Sequence, residues 1–116
     1  MRMQNENGRI RLTNEVFTNI TGAVVTSCYG VKGMAFRSKT DGIVHLLRKE
    51  SMSKGVKITH NEDGSISIEL HIIVDNGVNL MAISRAIQSE VKYHVHRLTD
   101  VEVRCVDVYV DSMMIG

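Results

Sequence analysis

Apolar and polar residues alternate along residues 65–74, and this pattern predicts a strand with one buried face. The apolar side holds Ile66, Ile68, Leu70, Ile72 and Val74. The polar side holds Ser67, Glu69 and His71. The turn sequence Asn61–Gly64 precedes this strand, and a shorter alternating segment with Val56 and Ile58 precedes the turn. The two strands are therefore predicted to form an antiparallel hairpin.

Apolar residues recur at helical spacing from Val78 to Leu98, which predicts an amphipathic helix ending at Thr99 and Asp100. In the last segment Val101, Val103 and Cys105 share one parity, whereas Val106, Val108 and Val110 share the other. A change of parity within one strand predicts either a β-bulge or a strand that is covered on both faces.

The first half of the chain predicts shorter elements. Residues 1–8 are polar and predict a disordered lead-in, after which Arg9–Leu12 predicts a short strand. Thr13 or Asn14 can cap the next helix, in which an apolar ladder runs from Val16 to Cys28. Gly30 is the natural end of that helix.

Two further elements complete the predicted order. Val31–Arg37 predicts a strand, and Ile43–Glu50 predicts two helical turns with the apolar residues inward. The order β-α-β-(α)-β-β-α-β is typical of an α+β fold, a two-layer sandwich. We therefore predict a mixed sheet with two main helices on one face, in a single domain spanning residues 9–116.

Composition suits an ordinary aliphatic core. Of the 116 residues 43% are hydrophobic, but only 4% are aromatic and none is Trp. Cys28 and Cys105 lie on apolar stripes and form no CxxC motif, which predicts two buried, reduced thiols. The N-terminus has no apolar segment that resembles a signal peptide, and no apolar run reaches the ~20 residues of a membrane span. These features predict a cytoplasmic protein with no direct membrane insertion.

Charge is uneven along the chain although the net charge is only +1. Residues 31–60 hold seven basic and two acidic residues, and residues 61–116 hold four basic and nine acidic ones. At the start of the basic 31–60 region, Gly30-Val31-Lys32-Gly33 matches the GxxG backbone clamp of KH domains. A nucleic-acid-binding module is therefore the alternative function, although a helix end followed by a tight turn also explains these glycines.

No motif for catalysis, a cofactor or a metal is present. His94 and His96 are two residues apart on a helix, roughly 200° around its axis, and so cannot share one ion. His45, His60 and His71 are isolated from one another in the sequence. The residues themselves therefore give no support to an enzyme, and we predict no catalytic residue, no cofactor and no metal site.

Two segments are candidates for partner contacts. Residues 48–55 form a basic, polar connection, and we predict Arg48, Lys49 and Lys54 as exposed partner-binding residues. Their positive charge suits an acidic partner, and Arg48 can hold a carboxylate with two hydrogen bonds. The apolar residues 112–116 either extend the last strand or contact another chain.

Several segments together resemble the bacterial alkaline-shock protein family, also described as the Gls-type envelope stress response family. They are GRIRLTNEV at Gly8–Val16, CYGVKGMAFR at Cys28–Arg37, LLRKESMSKGVKI at Leu46–Ile58, IELHIIVDNGVNL at Ile68–Leu80, IQSEVKYHVHRLTDVEV at Ile87–Val103 and VDVYVDSM at Val106–Met113. The segment RKESMSKGV is most similar to the short, stand-alone branch of the family. The chain departs from the family at Asp75-Asn76-Gly77, where relatives often have an aromatic residue before the glycine.

The resemblance implies a non-enzymatic scaffold or regulatory protein linked to cell-envelope stress or lipid homeostasis. It implies protein partners, among them a dihydroxyacetone-kinase-like protein of the fatty-acid kinase type, or a membrane-anchor protein that would place this chain at the membrane. Self-association, seen in some relatives, is a further expectation.

Overall fold

Strand β4 (Ile66–Asp75) lies at the centre of a five-stranded sheet in the computed structural model. The structure describes residues 6–38, 42–47 and 54–114, with side chains for all of these except residues 6–13 and Arg37. The other elements are α1 (Glu6–Thr26), β1 (Val31–Arg37), β2 (Val44–Leu46), β3 (Val56–His60), α2 (Leu80–Thr99) and β5 (Val103–Met114).

Strand β4 pairs with three strands along its two edges. On one edge β5 runs parallel to β4 over its full length. On the other edge β3 pairs antiparallel with Ile66–Leu70, and β1 pairs antiparallel with residues 72–74. The strands β3 and β1 thus follow one another along a single edge, and β2 continues the sheet beyond β1. The predicted hairpin and the predicted mixed sheet are both confirmed.

Both helices pack on the face of the sheet formed by alternate residues of β4, as predicted for an α+β fold. The fully buried core includes Phe17 and Val25 from α1, Ile87 and Val91 from α2, and Leu70 from β4. Aliphatic residues of β5 and β3 complete it. Because one apolar cluster joins both helices to the sheet, the elements stabilise one another through shared burial.

Helix α2 begins and ends close to the predicted positions. The side-chain oxygen of Asn79 caps its start by accepting a hydrogen bond from the Ala82 N–H at 3.0 Å. Asp100 follows its last residue in the left-handed conformation at φ 65°, where its N–H donates to the carbonyl oxygen of His96 at 2.7 Å.

The β-bulge, one of the two interpretations of the parity change, is confirmed in β5, and a second bulge accompanies it. The register moves from Ile66 opposite Val103 to Ser67 opposite Cys105, which leaves Arg104 as the extra residue. It moves again between Val110 and Ser112, which leaves Asp111 unpaired. The first bulge explains the change of parity, because it places Val103 and Val106 on the same buried face.

The predicted strand at Arg9–Leu12 is wrong, because these residues lie within α1. Strands β1, β3 and β5 already occupy both edges of β4, so the central strand has no edge for a further partner. Thr13 and Asn14 are consequently inside the helix and do not cap it. The helix begins at Glu6, within the predicted lead-in, of which residues 1–5 lie outside the described residues.

The predicted helical turns at Ile43–Glu50 are also wrong where the structure describes them. Val44–Leu46 is strand β2, which pairs with β1 so that Leu46 lies opposite Ala35. The Leu47 N–H donates to the carbonyl oxygen of Met34 at 2.9 Å, which continues this pairing. Pairing with the preceding strand β1 overrides the local pattern here. Residues 48–50 lie outside the described part.

Candidate functional site

The face of the sheet opposite the helices carries the charged side chains of β3, β4 and β5, and we call it the open face. Strand register places Lys57, Glu69 and Asp107 in one row across it, and places His71 beside Tyr109 in the next row. Cys105 also lies on this face, beside Ser67. The open face therefore brings together acidic, basic and aromatic groups from three strands.

His71 lies between two carboxylates from different strands, and we call Glu69, His71 and Asp111 the His71 clamp. The Nδ1 atom is 3.1 Å from Asp111 Oδ1 and 3.2 Å from its Oδ2, and Nε2 is 3.2 Å from Glu69 Oε2. The ring of Tyr109 stacks on the imidazole at 5.0 Å between centroids and 15° between planes. Asp111 reaches His71 from the second bulge of β5.

The clamp favours the charged form of the imidazole. Partial burial is the largest single influence and by itself lowers the pKa of His71. Hydrogen bonds from His71 to Asp111 and Glu69, together with the negative charges of both carboxylates, outweigh burial and raise the pKa of His71 above its ordinary 6.5. An imidazolium can donate from both ring nitrogens at once, which matches the two carboxylates that face it.

This arrangement stabilises strands and offers little for catalysis. Both nitrogens of His71 face carboxylates, so no lone pair is free to take a proton from a bound molecule. The aromatic ring that stacks on the imidazole of His71 belongs to Tyr109, which also carries a hydroxyl group. Among the residues that the structure describes, no group of three His, Cys, Asp or Glu side chains could hold a metal ion.

A cleft of about 470 Å³ opens beside the clamp, where β3 and β1 meet along the edge of β4. Its lining consists of Ala35, Phe36, Lys54, Gly55, Val56, Lys57, Glu69, His71 and Asp111. Gly55 is buried at this junction, and a Cβ there would lie 2.9 Å from the carbonyl oxygen of Ala35. A glycine is therefore required for the two strands to approach so closely.

Lys54 is the one predicted partner-binding residue that the structure describes, and it lies at the cleft. Its Nζ is 5.8 Å from the centre of the Phe36 ring, within the range of a cation–π contact. Lys54 and Lys57 form no ion pair with another described residue. Arg48 and Lys49 lie outside the described residues.

The rest of the basic 31–60 region is dispersed where it is described. Lys32 forms an ion pair with Asp75, with 3.2 Å between Nζ and Oδ1. Gly33 is part of β1, so the GxxG sequence links a helix to a strand, whereas the clamp of KH domains lies between two helices. This geometry favours the interpretation of Gly30 and Gly33 as a tight connection.

The other described histidines have separate partners. His94 lies 3.3 Å from Glu90, His96 lies 3.2 Å from Glu102, and His60 bonds to Asn14. His45 is exposed in β2. The pattern of these four residues thus agrees with ordinary surface histidines, whereas His71 is part of a cluster that the sequence reading missed.

The two cysteines are free thiols, as predicted, but each is half-buried and not fully buried. Burial, followed by the negative charge of Glu90, raises the pKa of the Cys28 thiol. A raised pKa leaves less of the nucleophilic thiolate at neutral pH, so Cys28 is a poor candidate for thiol chemistry.

Strand β5 forms an edge of the described sheet, and its free side is protected. Two bulges interrupt its register, and Gln88 of α2 donates from Nε2 to the carbonyl oxygen of Val106 at 3.0 Å. Bulges and covering side chains reduce the pairing of an edge with another chain. Ser112, Met113 and Met114 continue the strand, as one of the two interpretations of the C-terminus predicted, and residues 115–116 lie outside the described residues.

No described helix is long and apolar enough to cross a membrane. Comparison with known proteins finds relatives over nearly the whole chain. An uncharacterized protein of Bacillus subtilis, YloU, is 34% identical over 109 residues, which cover 93% of this chain and 90% of that protein. The uncharacterized protein Spy1614 of Streptococcus pyogenes is 30% identical over 116 residues, covering 99% of this chain and 95% of the relative.

A second Streptococcus pyogenes protein, the uncharacterized Spy1535, is 28% identical over 107 residues, covering 92% of this chain and 80% of the relative. No solved structure matches the chain. A sequence model of the alkaline-shock protein 23 family, described as having a cell envelope-related function, matches residues 2–115. The chain therefore belongs to the alkaline-shock protein 23 family, with its cell envelope-related function.

Proposed function

We propose that this protein is a non-enzymatic scaffold or regulatory protein of the cytoplasm, linked to cell-envelope stress or lipid homeostasis through protein–protein contacts. The supporting observation is the cleft on the open face, which is flanked by Lys54 and Lys57 and by the partly exposed ring of Phe36. Aromatic anchors beside cations are frequent at the centres of protein interfaces.

The charges around the cleft favour an acidic partner surface. Glu69 and Asp111 are engaged with His71, whereas Lys54 and Lys57 have no ion pair among the described residues. The predicted contacts Arg48 and Lys49 precede Lys54 closely in the sequence and would add positive charge. A dihydroxyacetone-kinase-like protein or a membrane-anchor protein is the proposed partner, and self-association is a second mode of assembly.

Co-purification of the chain with a tagged kinase-like or anchor protein from the same genome tests this proposal. We expect Lys54→Glu to weaken capture by about tenfold, equivalent to about 1.4 kcal/mol, because it places a like charge against an acidic partner. Lys92→Glu is the matched control, since Lys92 is exposed on α2 in the other layer of the molecule. Equal losses in the two variants would contradict a contact at the cleft.

A double variant, Arg48→Glu with Lys49→Glu, tests the other two predicted residues in the same assay. We expect normal folding by circular dichroism and weaker capture of the partner. Unchanged capture would remove these two residues from the proposed contact.

Two further outcomes would redirect the proposal. Light scattering that detects assemblies of this chain alone, with neither candidate partner captured, would favour self-association as the functional contact. Binding of RNA or DNA that weakens steeply with added salt would support the nucleic-acid alternative instead.

A further inference from the structure

The His71 clamp joins the C-terminal end of β5 to the central strand at a point where backbone pairing is interrupted. Asp111 is the extra residue of the second bulge, between the pair Val110–Ile72 and the pair Ser112–Ile73. Beyond it only Ser112, Met113 and Met114 remain in the described strand. The hydrogen bonds that Asp111 accepts from His71 therefore supply a side-chain link across the bulge.

The clamp needs the proton of His71 to bind both carboxylates. A neutral imidazole has a single N–H, so it can donate to Asp111 or to Glu69 but no longer to both. The bond that remains also loses its charge, and charge-assisted hydrogen bonds are roughly twice as strong as neutral ones. The side chain of Asp111 is only 13% exposed, so a weaker bond leaves this carboxylate poorly compensated.

The balance of charge around His71 depends on the same proton. Lys57 faces the cluster from β3, Lys54 faces it from the turn before β3, and Glu69 lies on β4. Strand β5 contributes Asp107, Asp111 and Tyr109. From β1 the described lining is uncharged, consisting of Ala35 and Phe36. With His71 protonated, three cations balance three carboxylates, and loss of the proton leaves an excess of negative charge.

We propose that the His71 clamp is a pH-sensitive latch that holds the C-terminal end of β5, Ser112–Met114, on the sheet. While His71 is protonated, the imidazolium closes the latch. As pH rises and His71 loses its proton, the latch weakens, and the end of β5, including the partly exposed Met113 and Met114, separates more often from β4. The latch acts within one chain and needs no partner.

The loss of stabilisation with rising pH follows from the linkage between protonation and stability. The pKa of His71 is raised in the folded protein, so the stabilisation is fully present below the ordinary value of 6.5 and is lost as pH rises through the raised value. Each unit by which the folded pKa exceeds the pKa of the opened state corresponds to about tenfold in the opening equilibrium.

Amide hydrogen exchange followed by NMR on the full chain tests the latch from about pH 6 to about pH 9, the range around histidine titration. The main probe is the Asn76 amide, which donates to the carbonyl oxygen of Met114 at 2.9 Å. The others are those amides of Ser112–Met114 that point toward β4, because alternate amides of an edge strand point away from the sheet. Protection factors correct for the intrinsic acceleration of exchange by hydroxide. The titration of His71 is read in the same samples from its ring carbon and proton shifts.

We expect protection at these amides to fall with the same midpoint as His71, by about tenfold for each unit by which the pKa of His71 is raised. His71→Gln should abolish the pH step. The matched control His94→Gln removes another histidine that lies beside a carboxylate, Glu90, and should leave the step unchanged. Glu69→Gln should move both the titration and the step to lower pH.

Three results would overturn the latch. One is a titration of His71 with no change in protection at Ser112–Met114. Another is a step that persists in His71→Gln with the same midpoint. The third is a step that stays at its original pH in Glu69→Gln, which would show that the step does not depend on the clamp. This third result decides the question if His71→Gln does not fold.

Discussion

Gly30 connects α1 to β1 at a point where a side chain has no room. Its φ is +87°, and an added Cβ would lie 2.7 Å from Ile83 Cδ1 and 3.1 Å from Val78 Cγ1. Its carbonyl oxygen also accepts a hydrogen bond from the Asp75 N–H at 2.9 Å. The residue therefore combines a left-handed backbone conformation with close packing against the start of α2.

We expect Gly30→Ala to destabilise the protein by more than Gly64→Ala. Gly64 has a similar φ of +92° but nothing within 4 Å of the position of a Cβ. The control should therefore lose only the roughly 1–2 kcal/mol of a left-handed alanine. Gly30→Ala should lose about 1 kcal/mol more, because the ends of the Ile83 and Val78 side chains must move to admit the new methyl group. Urea denaturation of both variants measures the difference, and equal losses would contradict the packing argument.

At the scale of elements, the β3–β4 hairpin depends on a hydrogen-bonded turn. Asp63 Oδ1 accepts from the Ser65 hydroxyl at 2.6 Å and from the Ser65 N–H at 3.0 Å, and Arg104 lies 3.2 Å from Oδ2. The Ser65 hydroxyl and then the Ser65 N–H are the main causes that lower the pKa of Asp63 from 3.8 to about 2, with Arg104 contributing less.

Carboxyl NMR titration should therefore place the midpoint of Asp63 at about 2. Because this pKa is depressed in the folded state, the turn is stabilised above pH 3.8 and loses that support as pH falls through about 2. Ser65→Ala should move the midpoint back toward 3.8, and Arg104→Ala should move it less. A larger shift in Arg104→Ala would mean that the ion pair, and not the turn, controls Asp63.

Elements with strong periodicity were predictable, whereas elements whose structure depends on pairing with another strand, or whose periodicity is weak, were not. The alternation of Ile66–Val74 and the helical spacing of Ile83–Val95 lead directly to β4 and α2. Val44–Leu46 has a local pattern that suits a helix, but pairing with β1 makes it a strand. Arg9–Leu12 carries too few apolar positions for its pattern to distinguish strand from helix.

The residues of the candidate site could likewise be predicted only in part. Glu69 and His71 share a face by alternation, and this much could be predicted from the sequence. Asp111 joins them only because β5 runs parallel to β4 and bulges once more after Val110. The parity change near Cys105 signalled one bulge, but nothing in the sequence signalled the second, so the clamp could not be assembled in advance.

At the scale of the whole molecule, one core joins both layers. Ile87 is fully buried in the cluster that contains residues of α1, α2, β1, β4 and β5. Helix and sheet should therefore unfold together, since neither layer has a separate apolar cluster among the described residues.

We expect Ile87→Ala to lower the free energy of unfolding by about 2–5 kcal/mol. Met81→Ala on the same helix is the control: Met81 is 66% exposed, and its loss should stay within about 0.5 kcal/mol. Far-UV circular dichroism, which follows the helices, and the fluorescence of Tyr109 on β5, read in a background with Tyr29→Phe and Tyr93→Phe, should give one common transition in each protein. Separate midpoints for the two signals would show that the layers unfold independently.

The position of β4 has a consequence for how the chain folds during synthesis. Residues 56–114 form a contiguous β3–β4–α2–β5 unit with local connections, whereas α1 and β1 must wait for a strand that lies later in the chain. Closing the long connection between β1 and β4 costs more chain entropy than closing the short turn between β3 and β4. We therefore expect the later half to form first and the earlier half to dock onto it, so that the junction of β1 with β3 is completed last.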